Sequence, residues 1–256
     1  MAIVGLDNST GTNTAVTTFT SFSPATNFAA MSMAVLCISA DNSGNSVNNI
    51  TSVTDTVGNK WTARALPIYD PGAASAGIQG AIYTTNMDRG LLTTGVTITT
   101  NFTDNTTSDT WALMEIQPTA GNRIRFVNTA DYTGQSVVGG TAVTFVTGSI
   151  TQNNLVVCAL FVEGGTTQTP TGDADVTNGS WSTMQYAEIG TTTSGNVILT
   201  QRKIVSATAT QTWNPTMSIT ADVVASWIQL TEEPYIIRDI IGIGGFMPGP
   251  RTLKAS

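Results

Sequence analysis

The 256-residue chain contains no histidine, and it has three lysines, Lys60, Lys203 and Lys254. No Lys or Arg precedes Lys60. Each absence excludes something. Without His there can be no Ser-His-Asp or Cys-His nucleophile and no imidazole metal ligand. No lysine stands three residues after a serine, so the Ser-x-x-Lys arrangement is missing as well. An N-terminus without positive charge lacks the n-region of a secretory leader, so synthesis without export is expected. No stretch approaches the ~18 consecutive apolar residues of a membrane-spanning helix. Charged residues make up 11%, under half the ~25% usual in soluble domains. The balance of ten Lys/Arg against seventeen Asp/Glu is acidic, which argues against binding nucleic acid.

What is present is mostly small and polar. Thr occurs 46 times, and with 24 Gly, 19 Ser and 18 Asn it fills about two-fifths of the chain. Thr, Val, Ile and aromatics suit pleated strands, whereas helices want more Glu, Lys and Leu. A hydrophobic fraction of 41% is enough for a packed core. The two cysteines sit in apolar runs, Met33–Ile38 and Leu155–Leu160. They read as buried free thiols. A chain of this size does not need a disulfide, and the lack of a leader points to a reducing compartment.

The chain contains itself twice. Asp55-Thr-Val-Gly-Asn-Lys-Trp61 has a counterpart in Asp175-Val-Thr-Asn-Gly-Ser-Trp181, at an offset of 120. The cysteine runs match at an offset of 121, and Ala81–Tyr83 pairs roughly with Val197–Leu199. Each half closes with an apolar strand, Thr110–Ile116 and Val223–Leu230. Alternating apolar residues and turn clusters predict about seven strands per half, and Asn178-Gly179 has the composition of a tight hairpin turn. The expected fold is all-β: two tandem antiparallel sandwiches of jelly-roll or Ig-like type, or one pseudo-duplicated sandwich. The expected units are residues 1–120 and 121–231, followed by an extended C-terminal arm at 232–256.

That arm differs in kind. Tyr235-Ile-Ile-Arg-Asp-Ile-Ile-Gly-Ile-Gly244 holds five isoleucines in ten residues, and Pro/Gly punctuation follows. It reads either as an edge strand on its own domain or as an arm docking on another subunit. In the second case Tyr235, Ile236, Ile237, Ile240, Ile241, Ile243 and Phe246 are the partner-docking residues.

For chemistry, paired carboxylates remain, as glycoside hydrolysis would require. Candidates are Asp173 with Asp175, and Glu115 with Glu188, but turn capping and strand exposure account for them better than a hydrolytic site does. The oxygen-rich turns at 41–45 and 173–175 lack EF-hand spacing. No catalytic residue, cofactor or metal ligand is assigned, and the chain is expected not to be an enzyme. Trp213, ahead of Asn214-Pro215, is the candidate glycan contact. Five N-x-[ST] triplets occur, at Asn8, Asn49, Asn101, Asn105 and Asn178; about five are expected by chance in so Asn-, Ser- and Thr-rich a chain.

Ile50-Thr-Ser-Val-Thr-Asp-Thr-Val-Gly-Asn-Lys-Trp-Thr62 resembles a stretch, I-x-S-V-x-D-x-x-G-N-x-[WY]-T, that recurs in β-sandwich structural proteins of tailed bacteriophages. The resemblance covers residues 15–118, more loosely the second copy, and not 232–256. It marks a turn into a Trp-bearing strand and brings no catalytic residues. It implies a virion component, capsid decoration or cement ahead of a tail or fibre protein, made in the host cytoplasm. The implied partners are other capsid or tail subunits and further copies of the chain, with no nucleic acid and no membrane. The alternative is a carbohydrate- or receptor-binding adhesin module that mediates host attachment.

Overall fold

A computed structural model describes residues 3–14, 17–41, 48–69, 77–106, 108–137, 143–163, 167–189, 195–218 and 221–235. Among these residues there is no helix, and every strand pairing is antiparallel. The first half supplies β1 (Val4–Asn13), β2 (Thr17–Phe22), β3 (Met33–Asp41), β4 (Ile50–Asp55), β5 (Thr62–Ala65), β6 (Ile68–Tyr69), β7 (Ile78–Thr85), β8 (Ile98–Thr106) and β9 (Asp109–Gln117). The second half supplies β10 (Asn122–Val137), β11 (Phe145–Ile150), β12 (Leu155–Glu163), β13 (Gln185–Ile189), β14 (Asn196–Ile204), β15 (Ala209–Trp213) and β16 (Ala221–Pro234).

The two halves have the same plan. A large sheet runs β1-β9-β3-β7-β5, with β6 also on β7, and its counterpart runs β10-β16-β12-β14-β13. A small sheet β2-β8-β4 belongs to the first half and β11-β15 to the second. The partner that β4 provides in the first half is reduced in the second to one bridge, Thr171 to Thr216. In each half the first strands alternate between the large and the small sheet, the connectivity of a jelly roll.

The sheets stack four deep. The two large sheets face each other across a central core that includes Val35, Cys37, Met114, Val157, Phe161 and Ile228. Each large sheet is covered on its other side by its own small sheet, over an outer core with Leu36, Ile38 and Trp111 in the first half. The second outer core holds Cys158, Leu160 and Trp213. This explains the unbroken apolar runs in the sequence. A strand covered on one face alternates, whereas one covered on both is apolar throughout. All nine residues of β3 are buried, as are the first eight of β9 and of β12.

The large sheets meet in opposite strand order: β1 lies across β13, while β5 and β6 lie across β10. The same surface of each half thus meets its equivalent, as across the twofold axis of a homodimer. Gly80 permits the closest approach, because a Cβ there would stand 2.2 Å from the Phe161 ring. Polar contacts cross the same boundary: Thr110 Oγ1 donates to Asn196 Oδ1 at 2.9 Å, and Asn196 Nδ2 to the Ser108 carbonyl at 2.9 Å. Arg202 pairs with Asp7.

Three sequence expectations need correction. The cysteines are free and buried, but Cys37 faces the central core and Cys158 the outer core of its half. The residues of β12 that face the central core as Cys37 does are Val157 and Ala159, so the two cysteines are one residue out of step and are not equivalent positions of the repeat. Asn178 and Gly179 do have positive φ, 57° and 111°. They open a loop ahead of β13, however, and do not join two paired strands. Finally, β16 continues through Glu232 and Glu233 to Pro234, opposite Asn122. The described part of the expected arm beyond that strand is Tyr235 alone.

Candidate functional site

The duplicated Asp-to-Trp turn is structural. Asp55 Oδ1 accepts the amides of Val57 at 3.1 Å and Asn59 at 3.0 Å, and its Oδ2 accepts Trp61 Nε1 at 2.8 Å. Gly58 takes the positive φ of 79° that the turn requires. Asn59 then holds the following loop, accepting the Arg89 and Gly90 amides and donating to the Gly90 carbonyl at 2.9 Å. In the second copy Asp175 caps only the turn, through the Thr177 amide at 2.9 Å. Trp181 Nε1 is buried without an acceptor. Its ring instead lies under the Lys203 ammonium, 4.9 Å from the centroid. Burial holds the Lys203 pKa below the usual lysine range.

The carboxylates singled out for hydrolysis are occupied by their surroundings. Glu115 accepts the Ala29 amide at 2.6 Å and the Ser32 hydroxyl at 2.8 Å, which fixes the turn before β3. Glu188 accepts the Gln168 amide at 2.7 Å and the Tyr186 hydroxyl. Asp173 accepts the amides of Asp175 at 2.7 Å and Asn214 at 2.9 Å. Two other carboxyls are perturbed. Asp109 is fully buried, and desolvation pushes its pKa up to about 7 against the opposing Asn13 and Thr20 hydrogen bonds. Glu163 reaches about 7 chiefly through burial, partly offset by the Gly77 amide and reinforced by Asp222 and Asp41. Among the described residues no group of three or more Cys, Asp or Glu side chains is arranged to hold a metal ion.

Trp213 is not the glycan contact its sequence position suggested. It is fully buried in the outer core of the second half. Its Nε1 donates to Gln201 Oε1 at 2.8 Å, and the same oxygen accepts the Asp173 amide at 2.7 Å. The strand β15 turns this ring inward, so no sugar can stack on it.

The docking residues divide differently. Ile236, Ile237, Ile240, Ile241, Ile243 and Phe246 lie outside the described residues. Tyr235 is described: it is 47% exposed, and its amide donates to the Gly121 carbonyl at 2.8 Å. It lines a groove of about 400 Å³. The loop before β3 lines this groove with Ala30 and Met31, and the loop after β7 with Asn86, Met87, Asp88 and Leu91. Arg123 of β10 completes the wall, held by Glu233 through Nε at 2.8 Å. Met31 and Leu91 are 42% and 43% exposed.

Two of the groove residues carry backbone strain. Met31 and Met87 have φ of 67° and 55°, a region that side chains other than Gly, Asn and Asp seldom enter. The repeat shows what is ordinary at the first of these positions. Asn153 stands two residues before β12, as Met31 does before β3, with the same φ of 67°. Asn suits that conformation and is polar. The first half has a strained methionine there, and it is partly exposed. Strain of order 1–3 kcal/mol persists where the surroundings enforce it, and such positions cluster at binding surfaces.

No family model, curated protein or solved structure matches the chain. The site is therefore defined by its own chemistry: an apolar groove with one carboxylate and one guanidinium, at the root of an isoleucine-rich segment. Sequence reasoning singled out Tyr235 but not Met31, Met87, Leu91 and Arg123, which line the same groove. One signal was present, an apolar residue at a repeat position where the other copy has Asn.

Proposed function

We propose that the chain is a non-enzymatic structural component of a bacteriophage particle, held to neighbouring subunits through its C-terminal segment. Capsid decoration or cement is the first role, a tail or fibre component the second. The observation that carries this reading is the groove at Tyr235. Partly exposed Met31, Leu91 and Tyr235 share one concave surface, and apolar surface gathered in this way gains from being covered by another chain. The four-layer stack supports the reading as well, because doubly covered strands make a stiff slab suited to bearing contacts on its rim. The phage assignment itself rests on the Ile50–Thr62 resemblance, whose Asp55, Gly58, Asn59 and Trp61 form the turn described above. The carbohydrate-binding alternative loses its chosen residue with the burial of Trp213.

The test is a chain ending at Tyr235. It retains every strand among the described residues, the β10–β16 ladder included, so it is expected to fold and stay soluble while failing to enter particles in infected cells. Incorporation at the full-length level would overturn the proposal.

A further inference from the structure

We infer that the chain binds a sugar acid, one ring carrying a carboxylate and several hydroxyls, in a polar cleft between β5 and the end of β7. This goes beyond the particle role and does not rest on it.

The cleft has a volume of about 200 Å³. That is below the ~300–1,000 Å³ of sites for drug-sized ligands, which limits the occupant to about one ring. Lys60, Thr62 and Arg64 enter it from alternate positions at the start of β5, so they share one face. Thr84, which pairs with Thr62 in the β5–β7 register, lines it beside them. Asn86 and Asp88, on the loop after β7, complete the lining.

Arg64 is placed for a ligand. It is half-buried. Its Nε donates to Thr84 Oγ1 at 2.8 Å, and its guanidinium lies 4.2 Å from the centroid of the Phe126 ring. These contacts fix the planar fork and leave its other N–H groups available. Burial also holds its pKa below the usual arginine range. A partly desolvated cation ordinarily has a carboxylate beside it. Among the described residues the ion pairs join Arg123 and Arg125 to Glu233, and Arg202 to Asp7. Arg64 and Lys60 take part in none of them. A fixed guanidinium and an exposed ammonium on one cleft are the groups that hold an oxyanion by charge-assisted hydrogen bonds.

The duplication shows that the fold does not require these cations. At the offset of 120 that relates the two Asp-to-Trp turns, the second half has Ser180 and Met184 in place of Lys60 and Arg64. The second half has a cleft lined by Ser180, Ser182, Arg202 and Lys203, among others. Its cations are taken up within the chain, Arg202 by Asp7 and Lys203 by the Trp181 ring. In the first half the pair is left for a ligand.

Asp88 decides which kind of anion fits. A carboxylate on the same cleft repels a bare phosphate or acetate, but it accepts hydrogen bonds from hydroxyls. Thr62 and Asn86 add further hydrogen-bonding groups. A sugar acid satisfies both sides at once, with its carboxylate on Arg64 and Lys60 and its hydroxyls on Asp88 and Asn86.

Calorimetric titration of the full chain with D-glucuronate, D-glucose and inorganic phosphate tests this. Glucuronate should bind with a dissociation constant of about 1 mM, as expected for a molecule of its size. Glucose lacks the carboxylate and phosphate lacks the ring, and each should bind about tenfold more weakly or less. Lys60→Gln changes an exposed side chain. It should leave the melting temperature unchanged and weaken glucuronate binding about tenfold, the loss of one charged hydrogen bond. Asp88→Asn separates the two kinds of site: a bare-anion site tightens when the repelling charge is removed, whereas the sugar-acid site weakens severalfold for glucuronate. Any one of four results overturns the inference: no saturation by glucuronate at about ten times that constant, phosphate bound as tightly as glucuronate, full affinity in Lys60→Gln, or tighter glucuronate binding in Asp88→Asn.

Discussion

Replacing Asp55 by alanine should damage the fold far more than the same change at Asp175, although the two residues occupy matching places in the repeat. Asp55 accepts three hydrogen bonds, from the Val57 and Asn59 amides and from Trp61 Nε1. Trp61 and Asn59 are 9% and 6% exposed, so water replaces the lost acceptor only in part. A buried donor left unsatisfied costs ~1–3 kcal/mol. Counting the indole fully and the two turn amides in part gives a loss of about 2–4 kcal/mol. For a chain of this size that corresponds to a melting temperature lower by about 5–12 °C. Asp175 caps one turn at the surface and leaves Trp181 Nε1 without an acceptor already, so its removal should change little. Asp55→Asn keeps one side-chain oxygen and should fall between wild type and Asp55→Ala. The assay is thermal and urea unfolding of full-length protein, followed by tryptophan fluorescence and far-UV circular dichroism. Equal losses at Asp55 and Asp175 would refute the reasoning, because they would mean that the indole hydrogen bond carries no weight.

Trp213→Ala should destabilise by about 3–5 kcal/mol, as for a large aromatic removed from a core, in urea titration; a fully stable variant would contradict its burial. Asp109 gives the stability a pH dependence of definite sign. Its pKa is about 7 in the folded chain and near 3.9 when unfolded, so between those values the folded state holds the extra proton. Its contribution is complete below about pH 4 and is lost as pH rises through about 7. Asp109→Asn should flatten this decline, and the variant should be more stable than wild type at pH 8 by up to about 4 kcal/mol; an unchanged slope between pH 4 and 7 would show that the carboxyl is ionised throughout. Lys203→Met should hold or raise the denaturant midpoint, because desolvation of the ammonium outweighs the attraction of Asp175 and Asp173 and an apolar side chain of similar length avoids that desolvation. A clear loss of stability would mean that the cation over Trp181 is worth more than burying it costs.

How far the sequence could be read depended on whether a signal was local. The runs at Met33–Asp41 and Leu155–Glu163 are apolar enough to identify strands, and the Asp-to-Trp turn identifies the repeat. Their continuity held a further message, that both faces of each strand are covered, which is the four-layer stack in linear form. Reading it requires knowing that every pairing is antiparallel, where alternation is the ordinary pattern. Trp213 shows the opposite failure. Its neighbours Asn214 and Pro215 resemble a surface loop, yet Gln201, twelve residues earlier, draws the indole inward. The groove was least legible, since its walls come from residues 30–31, 86–91, 123 and 235, which only the packing of the halves brings together. Even so, comparing one half with the other reveals part of it. Where a duplicated turn keeps its backbone but exchanges Asn153 for Met31, folding has gained nothing from the change. An exposed, strained methionine is then best explained by a surface it meets outside its own chain.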